Sequence, residues 1–203
     1  MNTPERSAEF WNERYGKADR IWARGPNALL TGFVEDLPPG RALDIGAGEG
    51  RNAIWLAKTG WTVTAIDVSD VGLARAAKRA AEEDVDLECV VTDWREYDPP
   101  SPFDLAVISF MHPRAEERAS MFTHVGEMLA PGGYLFTVGV DLSELGGRGP
   151  RDGDRLYTPE RLREALEGFE LVRCESVAYE GESTEGPRPV VDSFAVGQRL
   201  RSG

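Results

Sequence analysis

The sequence has little of what several large classes of protein require. Its 203 residues include two cysteines and two histidines, which is too few for a disulfide framework or a zinc cluster. No apolar run approaches the roughly 20 residues that cross a bilayer. Residues 1–16 lack the basic and apolar regions of a signal peptide. We therefore expect a cytoplasmic protein without a bound metal, and we expect both cysteines to be free thiols.

Positive charge is also scarce. Lysine and arginine total 23 against 35 acidic residues, so the formal net charge is −12. Affinity for nucleic acids depends mostly on cationic side chains, and an acidic surface repels phosphate groups. The composition therefore predicts that neither nucleic acid nor an anionic membrane is a partner. A length of 203 residues suits a single globular unit with a sizeable core.

Strand-like and helix-like segments alternate along most of the chain. Helices are predicted at 4–15, 26–35, 52–58, 69–83, 114–129 and from residue 158. Strands are predicted at 42–45, 62–66, 87–91, 103–108, 134–140, 169–176 and 190–196, with a turn at 131–133. The alternation predicts a Rossmann-like, doubly wound α/β fold with a mostly parallel seven-stranded sheet. The last two strands are predicted to form a hairpin that adds an antiparallel strand.

The most informative motif is Leu43–Gly50, which reads Leu-Asp-Ile-Gly-Ala-Gly-Glu-Gly. It follows a predicted strand and opens a predicted helix. Glycines permit a tight turn and the close approach of a ligand, and the Asp44 carboxylate can accept hydrogen bonds from an ammonium group. Asp67 ends the next strand, 19 residues after Gly48, where acids of nucleotide-binding units bind a ribose diol. The motif therefore predicts a nucleotide-type ligand.

Two classes of nucleotide-binding protein have a glycine loop similar to this motif. Dinucleotide dehydrogenases use G-x-G-x-x-G, whereas the third glycine here comes one position early. A pyrophosphate would be repelled by Asp44 and Glu49, whereas a ligand that bears an ammonium group would not. No tyrosine precedes any of the three lysines by four residues, so the Tyr-x-x-x-Lys pair of short-chain dehydrogenases is absent. A dehydrogenase is therefore disfavoured.

Residues 41–140, taken in order, resemble the class I S-adenosylmethionine-dependent methyltransferases. The resemblance implies that Leu43–Gly50 holds the methionine end of the cofactor, that Asp67 binds the ribose and that Thr92–Trp94 contacts the adenine. Phe103–Ile108 is similar to the fourth strand of the family, and 129–133 to the turn before the fifth. The implied cofactor-binding residues are Asp44, Gly46, Ala47, Gly48, Glu49, Gly50, Arg51, Asp67, Val68, Thr92, Asp93, Trp94, Ser109, Phe110, Tyr15 and Trp22.

The segment before the first strand adds a finer resemblance. Phe10–Tyr15, Trp22 and Gly25–Asn27 look like small-molecule methyltransferases of the tellurite-resistance and thiopurine type. Tyr15 and Trp22 can close over the sulfonium by cation–π contact; alternatively, these aromatic side chains only pack the N-terminal helix. Residues 1–40 are therefore predicted to form a helical lid, and residues 41–203 the S-adenosylmethionine-binding domain.

Three arginines compete for the carboxylate of the cofactor. Arg51 lies in the first turn of a predicted helix, where a cation opposes the helix dipole unless an anion binds nearby. Arg20 and Arg24 are equally placed in the sequence for this role, and an exposed arginine without a ligand is the alternative for Arg51.

One histidine is a candidate catalytic residue. His112 follows the fourth predicted strand, where the ligands of doubly wound sheets gather, and can take a proton from a hydroxyl acceptor. A loop or capping residue is the alternative, and a thiolate acceptor needs no base. We expect a monomer or homodimer that transfers a methyl group from S-adenosylmethionine to a small molecule. The alternative is a non-catalytic module that binds S-adenosylmethionine or S-adenosylhomocysteine.

Overall fold

The computed structural model describes residues 7–17, 25–181 and 188–201. Six α-helices occur within them: α1 (Ala8–Gly16), α2 (Ala28–Val34), α3 (Arg51–Lys58), α4 (Asp70–Glu82), α5 (Ala115–Glu127) and α6 (Pro159–Ala165). The same residues form seven strands: β1 (Arg41–Ile45), β2 (Thr62–Asp67), β3 (Glu88–Val91), β4 (Phe103–Ser109), β5 (Leu129–Val140), β6 (Phe169–Gly181) and β7 (Arg188–Arg199). No described helix is long and apolar enough to span a bilayer.

The seven strands form one mixed sheet in the order β3-β2-β1-β4-β5-β7-β6. Strand β2 pairs in parallel with both β1 and β3, and β7 pairs antiparallel with both β5 and β6. The predicted doubly wound fold with a C-terminal hairpin is therefore confirmed. The chain groups into two compact units, Met1–Val107 and Ile108–Gly203, and Cys89 in the first and Cys174 in the second are free thiols.

The first unit follows the patterns that its sequence contains. Strand β1 is buried from Ala42 to Ile45, as expected for a parallel strand that is covered on both faces. Helix α4 begins after Ser69, whose hydroxyl accepts a hydrogen bond from the Gly72 amide at 3.0 Å. Helix α2 begins after Asn27, whose side chain accepts from the amides of Leu29 and Leu30. Capping side chains thus set both helix starts.

The second unit corrects two predicted boundaries. Strand β5 begins at Leu129, so residues 131–133 lie inside a strand rather than in a turn. The side chains of β7 explain this result, because Gln198 donates to the Gly132 carbonyl at 2.8 Å and Arg199 donates to the Leu129 carbonyl. The hairpin is also longer than predicted, and its pairing continues to Gly181 opposite Arg188.

Candidate cofactor site

The glycine loop between β1 and α3 has a left-handed backbone at three positions. The φ angles are 68° at Gly46, 54° at Gly48 and 73° at Gly50, values that side-chain-bearing residues rarely adopt. The amides of Gly46 and Ala47 both donate to the Ile66 carbonyl, at 2.9 and 3.1 Å. The alternation of glycines in the motif therefore reflects a loop that folds back onto the end of β2.

Asp67 fixes this loop at its centre. Its Oδ2 accepts from the Gly48 amide at 2.8 Å, and its Oδ1 accepts from the Ser69 amide at 2.8 Å. Burial raises the pKa of Asp67, although these backbone bonds act against the rise. A carboxylate has about four acceptor positions, so these bonds leave capacity for ribose hydroxyls. The predicted ribose acid is thus also the anchor of the loop.

Asp44 is a buried carboxylate at the end of β1. Its side chain accepts from the Ala53 amide at 3.1 Å, and the residue is 2% exposed. Burial raises the pKa of Asp44 to about 7, while the Ala53 bond and the positive charge of Arg51 act in the opposite direction. An acid in this state gains more from a neighbouring cation than an exposed acid does, because little water solvates its charge. The site therefore suits an ammonium group.

Arg51 lies at a helix N-terminus, where a positive charge opposes the helix dipole. It is the first residue of α3, directly after the left-handed Gly50. Its charge favours the ionised form of Asp44, which gives this arginine a reason to be at a helix N-terminus even without a ligand. Its predicted contact with the carboxylate of the cofactor remains a prediction. Its proposed competitors Arg20 and Arg24 lie outside the described residues.

Glu49, the acidic residue within the glycine loop, binds α4. Its Oε1 accepts from Arg75 Nη1 at 3.0 Å, and its backbone carbonyl accepts from Arg79 at 2.8 Å. A Cβ at Gly50 would lie 2.7 Å from the Ala76 Cβ, so the loop requires glycine where α4 approaches. The structure thus gives Glu49 a structural partner, and its predicted cofactor contact remains a prediction.

Helix α1 is hydrogen-bonded to the N-terminal half of α4. Arg75 Nη2 donates to the Tyr15 carbonyl at 2.6 Å, so one guanidinium joins α1 to the glycine loop. At the other end, Asn12 accepts from the Ser69 hydroxyl and donates to Asp70, both at 2.6 Å. These contacts were not predicted from the sequence. Arg75 and Arg79 lie four residues apart in a helix rich in alanine, and this spacing places them on one helix face.

The predicted aromatic lid is described only in part. Tyr15 is 3% exposed, and its ring lies 3.0 Å from the position of a Cβ on Gly72, so it packs against α4. Trp11 lies beside it, with ring centroids 6.2 Å apart. Trp22 lies outside the described residues. The structure therefore shows a packing role for Tyr15, and its contact with the cofactor remains a prediction.

The predicted adenine segment follows β3. The Thr92 amide donates to the Asp67 carbonyl at 3.0 Å, which joins this segment to the end of β2. Both carboxylate oxygens of Asp93 accept from Arg95 Nη1, at 3.1 and 2.9 Å, and the Arg95 guanidinium lies 4.5 Å from the centre of the buried Trp94 ring. Arg95 was not among the predicted residues. This ion pair is half exposed and therefore weak. The Asp93 carboxylate thus remains able to accept a hydrogen bond from an adenine amine.

Of the remaining predicted residues, Val68 directly follows β2 in the first unit, and Ser109, Phe110 and His112 belong to the second unit. Ser109 ends β4, and the next residue, Phe110, has a φ of 56°, which is uncommon for a residue with a side chain. His112 is buried, and its Nε2 accepts from the Val140 amide at 3.1 Å. The lone pair of Nε2 is therefore already engaged, which does not favour this nitrogen as a general base. The catalytic role of His112 remains a prediction.

Comparison with known proteins bears directly on this site. Residues 42–133, which include the glycine loop, Asp67 and the segment after β3, match the family described as a methyltransferase domain. This stretch of the chain is therefore similar to a methyltransferase domain. The match runs from β1 into β5, so every predicted cofactor-binding residue except Tyr15 and Trp22 lies within the matched residues.

Curated relatives share modest identity with the chain. A ubiquinone biosynthesis O-methyltransferase of Caulobacter vibrioides is 27% identical over 156 residues, which are 68% of this chain and 60% of that protein. A protein named hemagglutinin 1 from Eikenella corrodens is 26% identical over 195 residues, which are 92% of this chain and 61% of that protein. The chain spans about three fifths of the length of these relatives.

Solved structures share the fold over nearly the whole chain. TehB of Haemophilus influenzae has a TM-score of 0.72 at 17% identity, and the alignment covers 93% of this chain and 67% of the TehB chain. The N-methyltransferase NodS of Bradyrhizobium japonicum, in complex with S-adenosyl-L-homocysteine, has a TM-score of 0.73 at 21% identity. The alignment covers 95% of this chain and 98% of the NodS chain. The [4+2]-cyclase SpnF has a TM-score of 0.70 at 20% identity, and the alignment covers 96% of this chain and 93% of the SpnF chain. The predicted Rossmann-like fold is confirmed, and SpnF shows that this fold also occurs in a protein named for another reaction.

The raised pKa of Asp44 predicts pH-dependent cofactor binding. A carboxylate with a pKa of about 7 is mostly protonated at about pH 6 and mostly ionised at about pH 7.5, whereas an α-ammonium stays largely charged over this range. The affinity for S-adenosylmethionine should therefore rise several-fold between these pH values in titration calorimetry. Asp44→Asn should weaken binding and abolish the pH dependence, and the exposed Asp86→Asn should change neither. An affinity that is constant with pH in the wild type would remove Asp44 from the ammonium site.

Proposed function

We propose that this protein transfers a methyl group from S-adenosylmethionine to a small-molecule acceptor. The observation that carries the proposal is the pair of buried acids, Asp44 and Asp67, on either side of a loop with three left-handed glycines. One acid suits an ammonium and the other a diol, and S-adenosylmethionine carries both groups. The family match of residues 42–133 and the likeness to NodS support this assignment.

The residues of the first unit fit this cofactor by their chemistry. Asp44 would hold the methionine ammonium and Arg51 the methionine carboxylate. Asp67 would hold the ribose hydroxyls, and the segment Thr92–Trp94 would contact the adenine. The glycine loop lacks side chains at the positions where a ligand must approach the backbone. This set of groups is also a poor match for a pyrophosphate, because Asp44 is a buried acid that carries no ion pair with an arginine as Glu49 does with Arg75 among the contacts described above.

The bound cofactor supplies an activated methyl group on a sulfonium, which is a good leaving group. The residues of the chain then have to align the acceptor and exclude water. Alignment alone can lower the activation free energy by about 7–11 kcal/mol. A dedicated base is not required for a thiolate-like acceptor, and the engagement of His112 Nε2 by the Val140 amide agrees with this view. For a hydroxyl acceptor, His112 remains the candidate base.

Helix α1 supports catalysis over the alternative of a non-catalytic binding module. It is bonded through Asn12 to Ser69, and the Ser69 amide itself bonds to the predicted ribose acid Asp67. Through Arg75 it is bonded to Glu49 in the glycine loop. Because α1 is bonded to residues next to both halves of the proposed cofactor site, we expect it to exclude water there when the cofactor binds.

The proposed activity is tested by incubating the protein with methyl-labelled S-adenosylmethionine and a panel of thiols, selenite, tellurite and phenols. We expect labelled product and stoichiometric S-adenosylhomocysteine with at least one acceptor, and at least a tenfold lower rate for Asp67→Ala. Cofactor binding without product across the panel would favour the binding module. Failure to bind the cofactor would contradict both functions.

The bonds of α1 predict a second effect. Arg75→Gln removes the charged link between the glycine loop and α1, so trypsin should cut after Arg14 and Lys17 faster than in the wild type. The affinity for S-adenosylhomocysteine should fall about threefold to tenfold, because the hydrogen bonds lost involve charged groups but are partly exposed. The exposed Lys78→Gln on the same helix is the matched control. Equal cleavage and equal affinity in Arg75→Gln would show that α1 is not coupled to the site.

A further inference from the structure

The turn that follows β3, residues 92–96, is closed by hydrogen bonds around one acid. The Arg95 amide donates to Asp93 Oδ1 at 2.9 Å, and the Glu96 amide donates to the Asp93 carbonyl at 3.0 Å. An aspartate that accepts from the amide two residues ahead forms an Asx turn, which fixes both the backbone and the side chain. The turn itself therefore sets the direction of the Asp93 carboxylate.

The side chain of Arg95 adds two contacts to the same carboxylate. Its Nη1 donates to Asp93 Oδ1 at 3.1 Å and to Oδ2 at 2.9 Å. Because both oxygens accept from one guanidinium nitrogen, the contacts oppose rotation of the carboxylate about its Cβ–Cγ bond. Arg95 thus holds Asp93 from two sides, with its amide and with its guanidinium.

The ring of Trp94 supports this guanidinium. Trp94 is 9% exposed, and Arg95 Cζ lies 4.5 Å from the centre of the ring. A cation at this distance is attracted to the ring by about 0.5–1 kcal/mol at an exposed site. The turn is also joined to β2, because the Thr92 amide donates to the Asp67 carbonyl at 3.0 Å. A buried ring on a fixed turn therefore positions a side chain that is itself half exposed.

The acceptor positions of Asp93 indicate what the turn can still bind. A carboxylate has about four such positions, and Arg95 takes two on Oδ1 and one on Oδ2 among the described contacts. Oδ2 therefore keeps one position, in a direction that Arg95 sets. That position accepts an N–H donor and repels a carbonyl oxygen. Adenine presents an exocyclic amine to such an acceptor, whereas hypoxanthine carries a carbonyl oxygen on the same carbon atom.

We propose that Arg95 is a positioning residue that makes the cofactor site selective for an amino-substituted purine. It directs Oδ2 of Asp93 at the exocyclic amine of the base, and Trp94 supports it. A site that hydrogen-bonds one group of a ligand discriminates strongly against an analogue without that group. The half-exposed ion pair adds little stability, and its effect is on which base binds. The proposal rests on the proposed binding of S-adenosylmethionine and adds the residue that selects its base.

The test compares S-adenosyl-L-homocysteine with S-inosyl-L-homocysteine, which has a carbonyl oxygen in place of the amine, by titration calorimetry on the full chain. The wild type should prefer the adenosyl compound at least about tenfold. Arg95→Gln should reduce this preference about threefold to tenfold, mainly through weaker binding of the adenosyl compound. Arg163→Gln is the matched control, because the Arg163 side chain is also 50% exposed and pairs with Glu160 in α6. It should leave both affinities unchanged.

A second variant shows whether Arg95 acts through Asp93. Asp93→Ala should abolish the preference for the adenosyl compound, and Arg95→Gln should then have no further effect on it. A merely structural role for Arg95 would lower both affinities by the same factor and leave the preference unchanged.

An unchanged or larger preference in Arg95→Gln would overturn the proposal. An equal effect of Arg95→Gln with and without the Asp93 carboxylate would overturn it as well. Both results are distinct from failure of the proposed function, which shows in the wild type as absent binding of S-adenosyl-L-homocysteine and would contradict both proposals.

Discussion

The hydrogen bonds from the amides of Gly48 and Ser69 to the Asp67 carboxylate are the constraint on which the candidate site depends. They hold the glycine loop in a left-handed backbone that residues with side chains rarely adopt, and they set the start of α4. Hydrogen bonds to a charged acceptor contribute about 1.5–3 kcal/mol each. Asp67 therefore fixes the geometry of the loop and is also the acid that we propose for the ribose, so its loss should disturb both the loop and cofactor binding.

Two acids next to the glycines of the loop, Asp44 and Glu49, lie in different environments. Asp44 is buried and accepts a hydrogen bond from the Ala53 amide, and burial raises its pKa, so its ionised form gains from a further neighbouring cation. Glu49, in contrast, is buried and paired with Arg75. Arg75 therefore neutralises Glu49, whereas Asp44 is the acid that we propose for the ammonium group of the cofactor.

Much of the fold could be predicted from the sequence because its signals are local. The strand predicted at 103–108 and the helices predicted from residues 69 and 158 each depend on residues within one element, and the structure has all three at these places. The errors arose where a distant side chain decided the local structure, as when Gln198 and Arg199 bind the backbone at the start of β5. Arg75 and the engagement of His112 by Val140 were missed for the same reason, because hydrogen bonds between segments leave no periodic pattern in a sequence.

The central claim is that the loop held by Asp67 binds S-adenosylmethionine, and titration calorimetry with purified protein tests it most directly. The account predicts saturable one-to-one binding in the wild type, at least a tenfold weaker dissociation constant for Asp67→Ala, and an intermediate loss for Asp67→Asn, which retains one acceptor oxygen. Asp86→Ala removes an exposed acid outside the site and should bind as the wild type does. Equal affinity of the wild type and a folded Asp67→Ala variant would contradict the account.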